Sequence, residues 1–312
     1  MTQLPEKDLP PGRHLLLKEH LMTEIRQEPA PSPSRKWLRP VLVAGAVATV
    51  AAVTVTLLPA QDEPFVPPVA NASPAVVQLL EDAALAAEHS ELRVDGDQFT
   101  YVRSKSAYEI TSRGCTRVTA GPLQTRELWK SVDGGTEGLL IDTELGRLPI
   151  EADPDPEPTD QNYGNLKKLP TDPDKMLAWL YKHKEGEGRS DDDLAFDLAT
   201  QLLIESVMPP KTSAALYRAI AKIPGVVLVK DAVDAVGRHG TAVGFPDGGD
   251  TGRQELIFDP KTWKLLGRRI VLLKDIKTDS DIGCHGVLKA GSVEGTSAIL
   301  QRAIVDKAGQ RP

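Results

Sequence analysis

Residues Val41 to Leu58 read VLVAGAVATVAAVTVTLL, a run without a charge. About eighteen apolar residues make a helix of roughly 27 Å, just enough to cross a hydrocarbon core of about 30 Å. Arg35, Lys36 and Arg39 stand just before the run, and the next Lys or Arg is Arg93. A basic cluster on one flank alone orients that flank toward the cytoplasm. The run therefore predicts a single crossing of the cell membrane, with residues 1–40 as a cytoplasmic tail, 41–58 as the span, and the rest of the chain outside. The lipid bilayer is the first partner the sequence implies.

A cleaved signal peptide competes with this reading. Its charged leader is short, whereas about forty residues precede the apolar run here. Leu58 is too large for a cleavage motif ending at Ala60, and Ala70-Asn71-Ala72 lies too far beyond the run. Ser34-Arg35-Lys36 lacks the second arginine of a twin-arginine signal.

The tail opens on a proline-rich stretch and continues as RHLLLKEHLMTEIRQE. Leu17, Leu21 and Ile25 recur every four residues, and Leu15 and Met22 are seven apart. That spacing predicts an amphipathic helix over residues 13–28. Leu17, Leu21, Met22 and Ile25 are the expected contacts with a cytosolic partner, and an interfacial helix on the bilayer is the alternative. Residues 59–72, with Pro59, Pro64, Pro67 and Pro68, form a stiff spacer.

Composition narrows the outer part. Net charge is −7 and the basic residues are scattered, which argues against nucleic-acid binding. The two cysteines, Cys115 and Cys284, both follow the span. Outside the cytoplasm an even count predicts one disulfide. Closing so long a loop is worth on the order of 5 kcal/mol in the chain-entropy picture.

The domain expected over residues 73–308 begins with Ser73-Pro74, a hydroxyl cap followed by proline at the first helical position. Helical spacing continues through Val76, Leu79, Leu80, Ala83 and Ala87. Strand-like runs follow, QFTYVRSKSAYEIT and TRELWKSV, then Asp133-Gly134-Gly135 as a hairpin turn before TEGLLIDT. Residues 151–165, rich in acids and prolines, read as a flexible surface loop. Three helices are expected next, opening at Asp172, Ser190 and Thr212, with Pro209-Pro210 closing the second. Strands VVLVK, RHGTAVGF, RQELIFD and WKLLGRRIVLL come after, the last two joined by a turn from Asp259 to Thr262. GTSAILQRAIVD fits either an edge strand or a short helix. Strands in succession without intervening helices predict an α+β domain on one antiparallel sheet.

The stretches LPTDPDKMLAWLYKH, FDLATQLLIESVMPPKTSAALYRAIAKIPGVVLV and RQELIFDPKTWKLLGRRIVLL resemble a family of actinobacterial single-pass membrane proteins of undefined activity. Genes of that family often sit beside one for an extracytoplasmic-function sigma factor. The resemblance implies an actinobacterial source and a sigma-factor-associated role in envelope signalling, and it supplies no catalytic residues. The order of elements also resembles half-barrel lipid or lipoprotein carriers and sensor domains, which implies a curved sheet covered by helices. The tail has no His-x-x-x-Cys-x-x-Cys motif, so any sigma-factor contact rests on the one amphipathic helix.

Chemistry-bearing motifs are missing from the sequence. There is no Gly-x-Ser-x-Gly and no phosphate-binding Gly-x-x-x-x-Gly-Lys. The glycine-rich GFPDGGDTG reads as a turn between strands, and Asp191, Asp192 and Asp193 as first-turn acids favoured by a helix dipole. His89, His183, His239 and His285 have no zinc-peptidase spacing. The sequence thus predicts no enzyme, no cofactor and no metal. It predicts an envelope-facing sensing or regulatory protein, or alternatively a carrier of lipids or other apolar ligands.

Overall fold

The computed structural model describes residues 72–108, 121–246, 251–280 and 284–312. The tail helix with Leu17, Leu21, Met22 and Ile25, the basic residues Arg35, Lys36 and Arg39, and the span 41–58 lie outside the described residues, as does Cys115. No helix among the described residues is long and apolar enough to cross a membrane.

The described part is an α+β fold with one large curved antiparallel sheet and few helices. Helix α1 (Pro74–Glu88) starts where the sequence places it, and the Ser73 hydroxyl accepts the Val76 N–H at 3.4 Å. Strands β1 (Phe99–Tyr108) and β2 (Gln124–Ser131) follow, then β3 (Gly138–Asp142) beyond the Asp-Gly-Gly turn, and β4 (Gly146–Ile150). Strand β4 carries the sequence GRLPI, whose glycine and proline hide it from any strand pattern. It is tolerated because it is an edge strand. The acidic, proline-rich loop ends in the short helix α2 (Tyr163–Leu166), where the buried Asn165 amide donates to the carbonyls of Glu157, Pro158 and Asp160.

Helices α3 (Pro173–His183), α4 (Asp191–Ile204) and α5 (Pro210–Ile220) come next. Asp172 and Ser190 cap the first two. The third begins at Pro210, two residues before the expected Thr212, with no side-chain cap. Pro210 opens a helix here and does not close one, because proline at the first helical position needs no N–H donor. Strands β5 (Val227–Val233), β6 (His239–Pro246), β7 (Gly252–Phe258) and β8 (Leu265–Leu272) match the four expected runs. A hairpin of β9 (Ile276–Ser280) and β10 (Cys284–Leu288) is a separate two-stranded sheet.

The last strand, β11 (Val293–Val305), is the largest departure from expectation. It lies at the centre of the sheet, in the order β4-β3-β2-β1-β11-β8-β7-β6-β5. It pairs with β1 from Gly295↔Tyr108 to Val305↔Phe99, and with β8 only as far as Ala298↔Gly267. At that crossing the strands approach so closely that a Cβ on Gly267 would collide with the Ser297 carbonyl oxygen.

The helices cover one face of the sheet. Val76 and Leu80 of α1, Phe196 and Leu202 of α4, and Leu216 and Ile220 of α5 pack with Val243, Leu256, Phe258 and Ile299 in one core. Leu256 and Phe258 share this inner face, as the alternation in RQELIFD predicts. Glu255, on the opposite face, is fully buried, held by Arg253 at 2.7 Å and Arg269 at 2.6 Å. A second cluster, Phe99, Tyr101, Trp129, Leu139 and Val305, lies on the outer face of the N-terminal half. The C-terminal residues close over it. Trp129 Nε1 donates to the Gln310 carbonyl at 2.5 Å, and Arg311 pairs with Glu127 at 2.6 Å. Burial and the bond to Glu127 push the Tyr101 phenol up to about 12.

Phe258 is fully buried and meets the Tyr217 ring edge-on at 5.5 Å, where α5 lies on the sheet. Replacing Phe258 with Ala is expected to cost about 3–5 kcal/mol. Urea unfolding followed by circular dichroism, with the slope unchanged, checks this.

Candidate functional site

Residues directly opposite one another in antiparallel strands share a face. One such row crosses four strands on the inner face: Asp142 of β3, Arg126 of β2, Ser104 of β1 and Ile299 of β11. The next row holds Gln124, Ser106, Ser297 and Arg268. Asp142, Arg126, Ser104, Gln124, Ser106 and Ser297 of these rows floor a cleft of about 570 Å³, whose walls include Tyr108, Glu144, Leu145 and the end of α4 at Ile204 and Glu205. That volume is ordinary for a small-molecule site.

The charge in the cleft is organised around Arg126. Its guanidinium donates to Asp142 at 3.2 Å and to Glu205 at 2.8 Å, tying the sheet to the end of α4. Burial acts to raise the Asp142 carboxyl. The N–H groups of Glu144 (2.9 Å) and Leu145 (3.2 Å), with Arg126, outweigh it and hold the group below the usual range. Burial pushes the neighbouring Lys130 ammonium down; it reaches Gln161 at 3.3 Å. At the far side Arg268 donates to the Tyr108 hydroxyl at 3.2 Å, and its guanidinium lies 5.9 Å from that ring's centre.

A second cleft, of about 590 Å³, opens beside β11 where it outruns β8. Ala83, Ala86 and Ala87 of α1, then Leu92, Met208, Tyr217, Trp263 and the consecutive residues Ile299 to Ala303 line it. The α4–α5 connection separates the two clefts, since Ile204 and Glu205 line the first and Val207 and Met208 the second. Arg302 fastens this connection by donating to the carbonyls of Leu203 and Ile204, which the end of α4 leaves without intrahelical partners.

The residues assigned a role from the sequence, Cys284 excepted, lie outside the described residues, and the described lining of the polar cleft comes from other positions. Cys284 begins β10. His89 lies against the Leu85 carbonyl at 2.6 Å, His183 stacks on Trp179 at 4.5 Å, and His239 pairs with Asp231 at 2.6 Å. Of GFPDGGDTG, Gly244 to Pro246 end β6 and Gly252 begins β7, while residues 247–250 lie outside the described residues. The acidic run at α4 does more than meet a helix dipole. Asp192 accepts the Tyr181 hydroxyl of α3 at 2.5 Å, Asp191 pairs with Lys184 at 3.1 Å, and the buried Asp193 is clamped by Arg189. Among the described residues no group of three or more His, Cys, Asp or Glu is placed to hold a metal ion.

The sequence does carry one signal for the polar cleft. In FTYVRSKSAY the positions on the helix-covered face change from Thr100 and Val102 to Ser104 and Ser106. A strand whose covered face turns polar partway marks a wet cavity. No protein-family model matches this chain, and a search of curated proteins found no match either.

Because the folded Asp142 carboxyl titrates below its unfolded value, its stabilising contribution is complete above about pH 4 and is lost as pH falls through the lower folded value. Asp142→Asn is expected to cost about 1–2 kcal/mol at pH 7. The gap from the parent protein should narrow as the pH is taken below about 4. Unfolding free energies of both proteins between pH 7 and pH 2 test this.

Proposed function

We propose that this chain is a non-enzymatic, membrane-anchored envelope protein that senses or regulates, binding a polar envelope ligand in the cleft over β1–β3. The observation that carries the reading is the pair of inner-face rows: Ser104, Ser106, Ser297 and Gln124 offer hydroxyl and amide groups around an arginine paired with two carboxylates, Asp142 and Glu205, with a third, Glu144, in the wall. Such a lining, with more carboxylate than cation, suits an uncharged polar ligand or one that bears an amino group, for example a sugar or short peptide fragment of the cell wall. Asp142 is held ionised by its donors, which suits recognition better than general-acid work. The described architecture, a curved sheet with helices on one face, fits the half-barrel sensor and carrier domains that the element order resembles. A carrier of free lipid is less well supported, because the space between helices and sheet is filled by Leu80, Phe196, Leu202, Leu216 and Phe258.

The rest of the proposal comes from the sequence. Val41–Leu58 anchors the domain outside the cytoplasm, with Arg35, Lys36 and Arg39 setting the orientation. The tail helix, through Leu17, Leu21, Met22 and Ile25, meets a sigma factor or another cytosolic protein. Cys115 and Cys284 form a disulfide. Backbone topology favours that pairing: Tyr108 is opposite Gly295, and Val293 opposite Val271, so the β1–β2 connection and the β9–β10 hairpin leave the same end of the sheet.

Full-length protein in lipid nanodiscs, titrated with soluble muropeptides and separately with palmitate, tests the binding reading. The muropeptides should raise Tm by several degrees, and Arg126→Ala should lose the shift while palmitate has no effect. A response to palmitate alone, or to neither, would sink the polar-ligand reading. For the tail, a photo-crosslinker at Leu21 in cells should capture a cytosolic protein, with a sigma factor expected. Labelling of that position by an impermeant reagent from outside would reverse the proposed topology.

A further inference from the structure

Strand β11 has thirteen residues, and β8 covers only part of one of its edges. Past Ala298 the strand pairs with β1 alone. The first carbonyl beyond the pairing, that of Ile299, is occupied: the Arg238 guanidinium donates to it at 2.9 Å and to the Leu266 carbonyl at 2.9 Å. Arg238 is itself fixed by the buried Asp234 at 2.6 Å, so the fork between the two strands is pinned. From Leu300 to Val305 no backbone bond to a partner other than β1 is present among the described residues. Six residues of strand extend about 20 Å. A free strand edge of that length pairs readily with another chain, and proteins ordinarily cover it or place charge along it.

Here the edge is recessed. Ile299 to Ala303 form one wall of the 590 Å³ cleft, the alanines of α1 form the opposite one, and Trp263, Leu92 and Met208 enclose the rest. A helix facing a free strand edge across an apolar trough is the arrangement in which extended peptides add a strand. Small alanines on the helix leave room for side chains on one side of the incoming strand. The charge is weighted toward cations. Arg302 and Lys264 line the cleft against one carboxylate, the exposed Glu91, while Arg238 is already paired with Asp234. No carboxylate among the described residues pairs with Arg302; its donors go to helix carbonyls, and its Nε has no partner. Lys264 stands exposed at the rim.

We infer that this trough is a docking site for an extended peptide segment of a protein partner, four to six residues long, with small apolar side chains and a carboxylate. The peptide continues the sheet beyond β8 by pairing with Leu300–Val305, and its carboxylate lies toward Arg302 and Lys264. The site is separate from the polar cleft and does not depend on it.

The test uses the full chain in nanodiscs and the hexapeptide Val-Thr-Val-Thr-Val-Glu with a free C-terminus. At saturating peptide, hydrogen exchange of the outward-facing amides in Leu300–Val305 should slow at least tenfold. Methylating alternate peptide nitrogens should separate two cases: the set facing β11 loses binding at least tenfold, and the other set keeps it. Ala86→Trp, which fills the trough from a half-buried helix position, should abolish binding while the circular dichroism spectrum is unchanged. Absence of protection at millimolar peptide would overturn the inference, as would equal tolerance of both methylated sets. Protection of the cleft by oleate and not by peptide would also overturn it, and would identify the trough as a lipid site.

Discussion

The fold depends on β11 being paired on both sides. Without it, β4-β3-β2-β1 and β8-β7-β6-β5 would be two small antiparallel sheets, each made of strands close in sequence. Strand β11 joins them by matching Phe99 with Val305 at one end of its pairing and Arg269 with Thr296 near the other. These contacts span most of the domain's length, so the loop-closure entropy is met late in folding and the local hairpins must hold long enough to receive the last strand. The close passage at Gly267 is where this union is tightest, and it admits no side chain.

Three arginines then attach the helical layer. Arg218 of α5 holds Glu81 and Glu88 of α1, Arg126 of β2 holds Glu205 at the end of α4, and Arg302 of β11 holds the last carbonyls of α4. The apolar core supplies most of the stabilisation, since a fully buried Leu or Phe contributes about 1.5–3 kcal/mol by transfer alone. The arginines contribute placement more than stability, because removing such charges from water offsets much of what their pairing returns. Arg218 joins α5 to α1, while Arg126 and Arg302 fix where α4 ends. That endpoint keeps the two clefts apart and gives each a wall.

How much of this was legible follows from what each element requires locally. Ser73, Asp172 and Ser190 announce helices because a cap is a property of two or three neighbouring residues, and Asp133-Gly134-Gly135 announces a turn for the same reason. Pro210 misled because proline stops one helix and starts another by the same chemistry, and only the position of Ile204 decides between them. Strand β4 is unreadable because an edge strand needs no apolar alternation, and β9–β10 because a two-stranded hairpin has no core to bury. The central place of β11 could not be read at all, since GTSAILQRAIVD has the same local preferences at an edge or a centre. The polar cleft left only a partial trace, the serines of FTYVRSKSAY: serines on a strand read as its wet face, and cross-strand register is needed to show that Ser104 and Ser106 stand on the helix-covered one.

The two clefts share one physical element. The segment from Ile204 to Met208 contributes Ile204 and Glu205 to the polar cleft and Met208 to the trough, and it is held between Arg126 and Arg302. A ligand that competes for Arg126 loosens one of those attachments, and a carboxylate that draws on Arg302 loosens the other. Any dependence of one site on its neighbour must then be reciprocal, because a coupling free energy belongs to the pair and not to either site. The size of that coupling is limited by the differential contacts each ligand makes with this segment, not by how tightly either ligand binds. The element through which the two clefts could be coupled is thus a short connection whose start, at the end of α4, is held by two guanidinium groups.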